Sequence, residues 1–491
     1  MPSESTQLVQ RTLPSSWLRR LVPVVVIAVI GSITFLHSTV STSPKRLHGS
    51  TKLNSAVRNG LDDPEEAVPA FTFLALGDWG GTLGKAAGYP GSCCKLYRGA
   101  LDTGSSRFKV DYYAQIYVAA LMAQSADEIH PLRILSHGDN FYWSGVGTGD
   151  MEYRFDQTFE RVYNAPSLRD VPWLNVAGNH DLGGNSFICG EADYAFRECQ
   201  TKEELLRYLD IRFEAQANYT SPHKNRWILR DHYYVERVAK DGVSVDVFNL
   251  DTNHAEHHGA KDVCCQCFDY AKRLHMPQSV CNTIRPGDAA CFGGNLELYD
   301  ACVAKIESWA NDSWQRAMVD IQASTATFKI VNTHYSPHYH MEVEKRNQWY
   351  TLCREAGVTV WFNGHTHGFN HDIATWGTHF FENGGGGGYW TQNFPGMNNG
   401  FVKNQWRVVG NPYGFMELSF SKDWLKVQFV TFDRDWDFGG LDLAKSHIGG
   451  IQRGHCWFIP RTFRESSGVE CRSSVNGAIG APLQGELGCK I

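Results

Sequence analysis

Five apolar, strand-like runs in this chain end in a similar way, in a turn that presents a residue able to bind a metal. They are "FTFLALGD" ending at Asp78, "LRILSHGD" at Asp139, "PWLNVAGNHD" with Asn179, "TFKIVNTH" at His334 and "VTVWFNGHTH" with His365 and His367. Short apolar runs of this kind read as buried strands, and glycine breaks them. Helical patterns such as "VDYYAQIYVAALMAQSADEI" and "IESWANDSWQRAMVDIQ" lie between several of them. Strand, turn, helix and strand in this order imply an α/β layered fold with a central sheet. Ligands in such folds gather beyond the strand ends.

Each of these residues alone has an ordinary structural use, since Asp78 or Asn179 can cap a turn and a histidine can sit satisfied in a loop. Together they supply hard oxygen donors (Asp78, Asp139), an amide oxygen (Asn179) and imidazoles (His334, His365, His367), the donor set of a two-metal site. One carboxylate must then bridge the metals. Asp139 suits that position, having two oxygens and a central place in the series. Tyr142 follows it by three residues, and in a chain that is 13% aromatic it reads on composition alone as one more aromatic. No serine or cysteine nucleophile is paired with a convincing base.

The remainder of the chain bounds the setting. A formal charge of -6 with no long Lys/Arg block lacks the footprint of a nucleic-acid binder, so no nucleic acid is expected. Residues 1–20 form a short basic tail ahead of the apolar run 21–36, "LVPVVVIAVIGSITFL". That run is a signal peptide, as Pro23 and its length favour, or a single-pass signal anchor, as the basic segment ahead of it favours. Either sends the bulk of the chain into the secretory route, as a secreted, lysosome-like or type II membrane protein. The 14 cysteines agree, because pairing is the default there. The dense group Cys264, Cys265, Cys267, Cys281, Cys291 and Cys302 lacks two well-spaced C-x-x-C pairs, so disulfides are expected over zinc. Asn218 and Asn311 head glycosylation triplets. Residues 37–69 read as a linker and 70–435 as the catalytic domain, with a Cys-rich insertion at 255–302. The sheet is expected to close near Asp435, leaving 436–491 as an extension. Cys93 and Cys94 are assigned a structural role, and His257 and His258 in the insertion read as residues of a solvated loop.

In order, "GDWG", "GDNFY", "GNHD", "THYSPH" and "GHTH" resemble the purple acid phosphatases of the calcineurin-like metallophosphoesterase superfamily, most closely the small tartrate-resistant type. The resemblance runs from about Phe71 to Asp435. It implies a sandwich of two mixed β-sheets flanked by helices, and an Fe(III) held by Asp78, Asp139, Tyr142 and His367. It also implies a divalent metal (Fe, Zn or Mn) held by Asp139, Asn179, His334 and His365, and a substrate-side histidine at His180. A second such histidine is expected shortly after His334, where His338 and His340 compete and His340 is slightly favoured.

The activity implied is acid hydrolysis of phosphate monoesters, with a hydroxide on the iron attacking phosphorus and His180 steadying charge or protonating the leaving alkoxide. One alternative is a calcineurin-like phosphodiesterase or protein phosphatase with two divalent ions. Another is an inactive binding protein on the same fold, which lost ligands would favour. None of the ligands is missing.

Overall fold

Along "FTFLAL" the side chains alternate between two buried environments, which places this strand between two apolar layers. In the computed structural model Phe73 and Ala75 face a core shared with a second sheet, while Leu74 and Leu76 face a helix layer. The structure describes residues 68–81, 96–97, 100–101 and 113–471, apart from 193–194, 257, 389–395, 409–412 and 439–442. The 21–36 run, the linker as far as residue 67, Cys93, Cys94, His257 and the tail beyond Cys471 lie outside the described residues. Among the described residues, no helix is long and apolar enough to cross a membrane.

The first sheet has eight strands, in the order Val469–Cys471, Ile451–Pro460, Trp424–Phe432, Phe415–Phe420, Phe71–Leu76, Arg133–Ser136, Trp173–Asn175 and Trp227–Ile228. The second has seven, in the order Val402–Arg407, Phe369–Ala374, His379–Asn383, Val360–Asn363, Phe328–Asn332, Val243–Leu250 and Tyr233–Lys240. Both are mixed, and the strands that lead into the five motifs run parallel within their sheets. Their C-terminal ends therefore share one edge of each sheet. The helix Ala114–Ile129 packs on the outer face of the first sheet, and Leu296–Ala323 and Val343–Ala356 on that of the second. This is the sandwich the resemblance implied.

The sheet does not close near Asp435. Ile451–Pro460 pairs antiparallel with Trp424–Phe432, and Val469–Cys471 pairs with Ile451–Pro460 in turn. The charge that obscures this strand in the sequence is neutralised in place, because buried Arg453 meets Glu417 at 2.7 Å and Glu128 at 2.8 Å.

Five disulfides are present among the described residues, and they fit an oxidising compartment. Three of them, Cys264–Cys302, Cys265–Cys291 and Cys267–Cys281, pin the insertion to itself and to the long helix Leu296–Ala323. Asn218 and Asn311 are both exposed.

Candidate metal centre

Two groups of donor atoms converge where the five strand ends meet. In the first, the Tyr142 hydroxyl lies 3.1 Å from Asp78 Oδ1, 3.0 Å from Asp139 Oδ2 and 3.1 Å from His367 Nε2. A single O–H proton cannot serve three neighbours, whereas a cation among the four atoms serves them all. In the second group, Asn179 Oδ1 lies 3.1 Å from both His334 Nε2 and His365 Nδ1, and those two nitrogens are 3.2 Å apart. Asp139 Oδ1 is 3.4 Å from His334 Nε2, so its two oxygens address different groups. The His334 Nδ1–H donates to the His137 carbonyl at 2.7 Å, which leaves the Nε2 lone pair facing the centre. The donor set thus fits two cations sharing Asp139.

The backbone is bent to deliver these atoms. Asp78, Asp139, His365 and His367 all have left-handed φ, at 55°, 54°, 68° and 51°. Non-glycine residues seldom adopt this conformation, and such outliers cluster at functional sites. Glycines provide clearance beside them. A Cβ on Gly364 would stand 2.2 Å from Asp78 Oδ2, and one on Gly178 would stand 2.3 Å from Asp139 Oδ1.

Electrostatics reflect the crowding. Burial would push the Asp139 carboxyl up, but the rings of His334 and His180 and the His180 N–H hold it below its ordinary value. Burial, then the charges of Asp139 and Asp78, push the Tyr142 phenol well above its ordinary value. A cation between these groups would reverse that effect.

His180 sits beside the first group, its ring 4.5 Å from that of Tyr142 and its backbone N–H donating to Asp139 Oδ1 at 3.0 Å. His340 faces the second, with its ring 4.8 Å from that of His365. His338 is not brought to the centre. Its Nε2 lies 3.3 Å from Asp372 Oδ2 and its ring packs 4.9 Å from Phe380. The two histidines lie two positions apart on the short helix Pro337–His340, so they point to different faces.

Three contributors were missed in the sequence. Asp181, the last residue of "GNHD", accepts N–H bonds from Gly178 at 2.8 Å, Asn140 at 3.0 Å and Phe141 at 3.2 Å. It thereby ties the Asn179 turn to the Asp139 turn, and burial, then the Asp139 charge, push its carboxyl up to about 8. His137, inside "SHGD", lies between Asn332 and Asn383 and fixes the floor of the site. His258 is half-buried rather than in a solvated loop, its ring 5.4 Å from that of His365.

Residues 71–369 match the family model described as calcineurin-like phosphoesterase, and the chain belongs to that family. It is 30% identical to the tartrate-resistant acid phosphatase type 5 of Sus scrofa over 208 residues, 42% of this chain and 46% of that one. The chain thus spans about half the length of that curated relative. It is 24% identical to purple acid phosphatase 3 of Arabidopsis thaliana over 386 residues, 77% of this chain and 80% of that one. Among solved structures it is similar to a purple acid phosphatase from yellow lupin seeds, with 13% identity and a TM-score of 0.38. That match covers 78% of this chain and 54% of the lupin one.

Proposed function

We propose that this chain is an acid phosphatase that hydrolyses phosphate monoesters at a dinuclear site holding Fe(III) and a divalent metal (Fe, Zn or Mn). The observation that carries this reading is Tyr142, whose hydroxyl meets Asp78, Asp139 and His367 at about hydrogen-bond distance. A phenol in a donor group suits a trivalent iron better than a divalent ion. Asp78, Asp139, Tyr142 and His367 would hold the iron, and Asp139, Asn179, His334 and His365 the divalent ion. Bound there, the two cations supply Lewis acidity toward phosphate oxygens and activate water as the nucleophile in mildly acidic solution. The five disulfides support delivery of this domain to a lumenal or extracellular space.

The side chains around the donors do the rest. The His180 Nδ1–H donates to the Trp143 carbonyl at 2.6 Å, which orients the ring and leaves Nε2 as the atom able to meet the substrate. From there it steadies the transition-state charge or hands a proton to the leaving oxygen. His340 approaches from the His365 side. Its Nδ1 accepts from the Ser336 N–H at 3.2 Å, so its ring too is oriented by the backbone.

The test is the metal content and visible spectrum of the purified protein, with p-nitrophenyl phosphate turnover across pH. Iron, colour and acid-side turnover are expected, and a colourless, iron-free, inactive protein would sink the reading. His180→Ala should lower kcat by about 10²–10⁴ while metal content holds. Parallel loss of metal would remove His180 from its substrate-side role.

A further inference from the structure

The Cys-rich insertion opens with a turn that is tied down on three sides. The Ala260 N–H donates to the Asn253 carbonyl at 2.6 Å and closes the turn on itself. The Glu256 N–H donates to the His340 carbonyl at 2.8 Å, joining the turn to the segment that carries a substrate-side candidate. The Tyr335 hydroxyl donates to the His258 carbonyl at 2.9 Å and also stands 3.3 Å from Asn179 Oδ1. Directly behind the turn come Ala260–Cys265 and Cys267–Arg273, the short helices held by the three disulfides.

This turn carries His258 in a left-handed conformation, with φ 58°. The His258 N–H donates to Asp262 Oδ2 at 2.6 Å, which fixes that conformation. The ring is directed toward the centre, 5.4 Å from that of His365. Neither ring nitrogen has a hydrogen-bond partner among the described residues. An imidazole held this firmly by its backbone, with both nitrogens free beside a candidate metal ligand, is placed to meet something that comes from outside.

We propose that His258 is a substrate-binding residue that donates a ring N–H to a phosphate oxygen on the His365 side of the site, opposite His180. The proposal rests on the phosphatase reading for the identity of the ligand. It gives the insertion a role in the reaction, since the disulfides and the Tyr335 and Glu256 bonds hold the ring in position. His180 approaches along Tyr142 and Trp143, at ring distances of 4.5 and 5.4 Å. His258 and His340 approach along His365, so a phosphate seated over the donors would be flanked by imidazoles from two sides. The donated bond is present in the ground state, so its loss should appear in substrate and product affinity more than in turnover.

The test uses the full, disulfide-intact, metal-loaded protein with His258→Gly and His258→Gln. Glycine accepts the left-handed backbone without strain, so this deletion leaves the turn intact. Inorganic phosphate binding is measured by calorimetry, alongside kcat and KM for p-nitrophenyl phosphate and the metal content. His258→Gly should bind phosphate about tenfold more weakly and raise KM in step, with metal content unchanged and kcat within about threefold. His258→Gln keeps an N–H donor and should recover part of the affinity. Unchanged phosphate affinity and KM would overturn the proposal, as would metal loss in parallel. If the wild-type protein binds phosphate in a His258-dependent way yet turns nothing over, the phosphatase reading falls and this binding role stands. If turnover is normal and His258→Gly changes neither phosphate affinity nor KM, the binding role falls and the phosphatase reading stands.

Discussion

Three histidines at the strand ends, His334, His365 and His367, differ in arrangement from three in the body of the sandwich, His371, His379 and His455. At the strand ends each ring turns one nitrogen into one of the two donor groups, His367 beside carboxylate and phenol oxygens and His334 and His365 beside an amide oxygen. In the body the rings stand in series. His455 Nε2 lies 3.0 Å from His371 Nδ1, and His371 Nε2 lies 2.8 Å from His379 Nδ1. The far end of the series is His455 Nδ1, 3.3 Å from Glu470 Oε1. A neutral imidazole has one N–H and one lone pair, so a series of rings can satisfy itself link by link. A convergent set leaves lone pairs facing each other and calls for a cation. Residue type alone does not separate the two clusters; the direction of the nitrogens does.

The largest effect that would break this comparison is at Asp139. Asp139→Asn replaces the carboxylate that both donor groups share with an amide, so both should lose affinity. Bound metal should fall at both positions, and kcat/KM by about 10³ or more. His379→Phe in the serial cluster should leave metal content unchanged. Equal metal content in Asp139→Asn and the wild type would remove Asp139 as a bridge.

Tyr142→Phe sharpens the distinction between the two halves of the centre. It removes the only phenol from the first donor group and, apart from the shared Asp139, touches nothing in the second. The visible band should bleach or shift while the thermal midpoint stays within a few degrees. A spectrum identical to that of the wild type would detach the colour from Tyr142. Turnover should change less than in Asp139→Asn, because the carboxylates and His367 remain.

Much of this contrast was legible in the sequence, for a local reason. A buried strand followed by a turn and a donor residue is a pattern carried by a few consecutive positions, and it recurs five times here. What stayed hidden depends on contacts between distant segments. The choice of His340 over His338 rests on which face of one helical turn meets His365. His258 looked like a loop residue because the partners that tether its turn, Tyr335 on His258 and the His340 carbonyl on Glu256, lie some eighty positions away. The late strand Ile451–Pro460 was missed because Arg453 and Gly454 interrupt its apolar pattern, and the partners that bury Arg453 come from two other elements. The serial histidines gave no signal, since His371, His379 and His455 share no spacing.

The smallest effect lies in that serial cluster and is read through pH. Burial, against the opposing pull of the Ser467 backbone and with the His455 ring adding to it, holds His379 down to about 3, and burial, then the His379 and His455 rings, holds His371 well below the ordinary 6.5. His455 is also lowered by burial, against the opposing pull of Glu470. A second proton on His455 or His371 would turn a lone pair within the series into a donor and set two N–H groups against each other, and one on His379 would put a charge on a buried ring. Below about pH 6.5 the unfolded chain takes up protons that these folded rings refuse, so their contribution to stability is whole above that pH and is lost as pH falls. His379→Phe removes one such ring. Its unfolding free energy should therefore fall less steeply than that of the wild type between pH 6 and 4, by up to one proton's worth, about 1.4 kcal/mol per pH unit. Denaturant unfolding of both proteins across that range gives the two slopes. Identical slopes would mean that the His379 ring is already protonated in the fold, and the series would then need an anion beyond Glu470 to hold it.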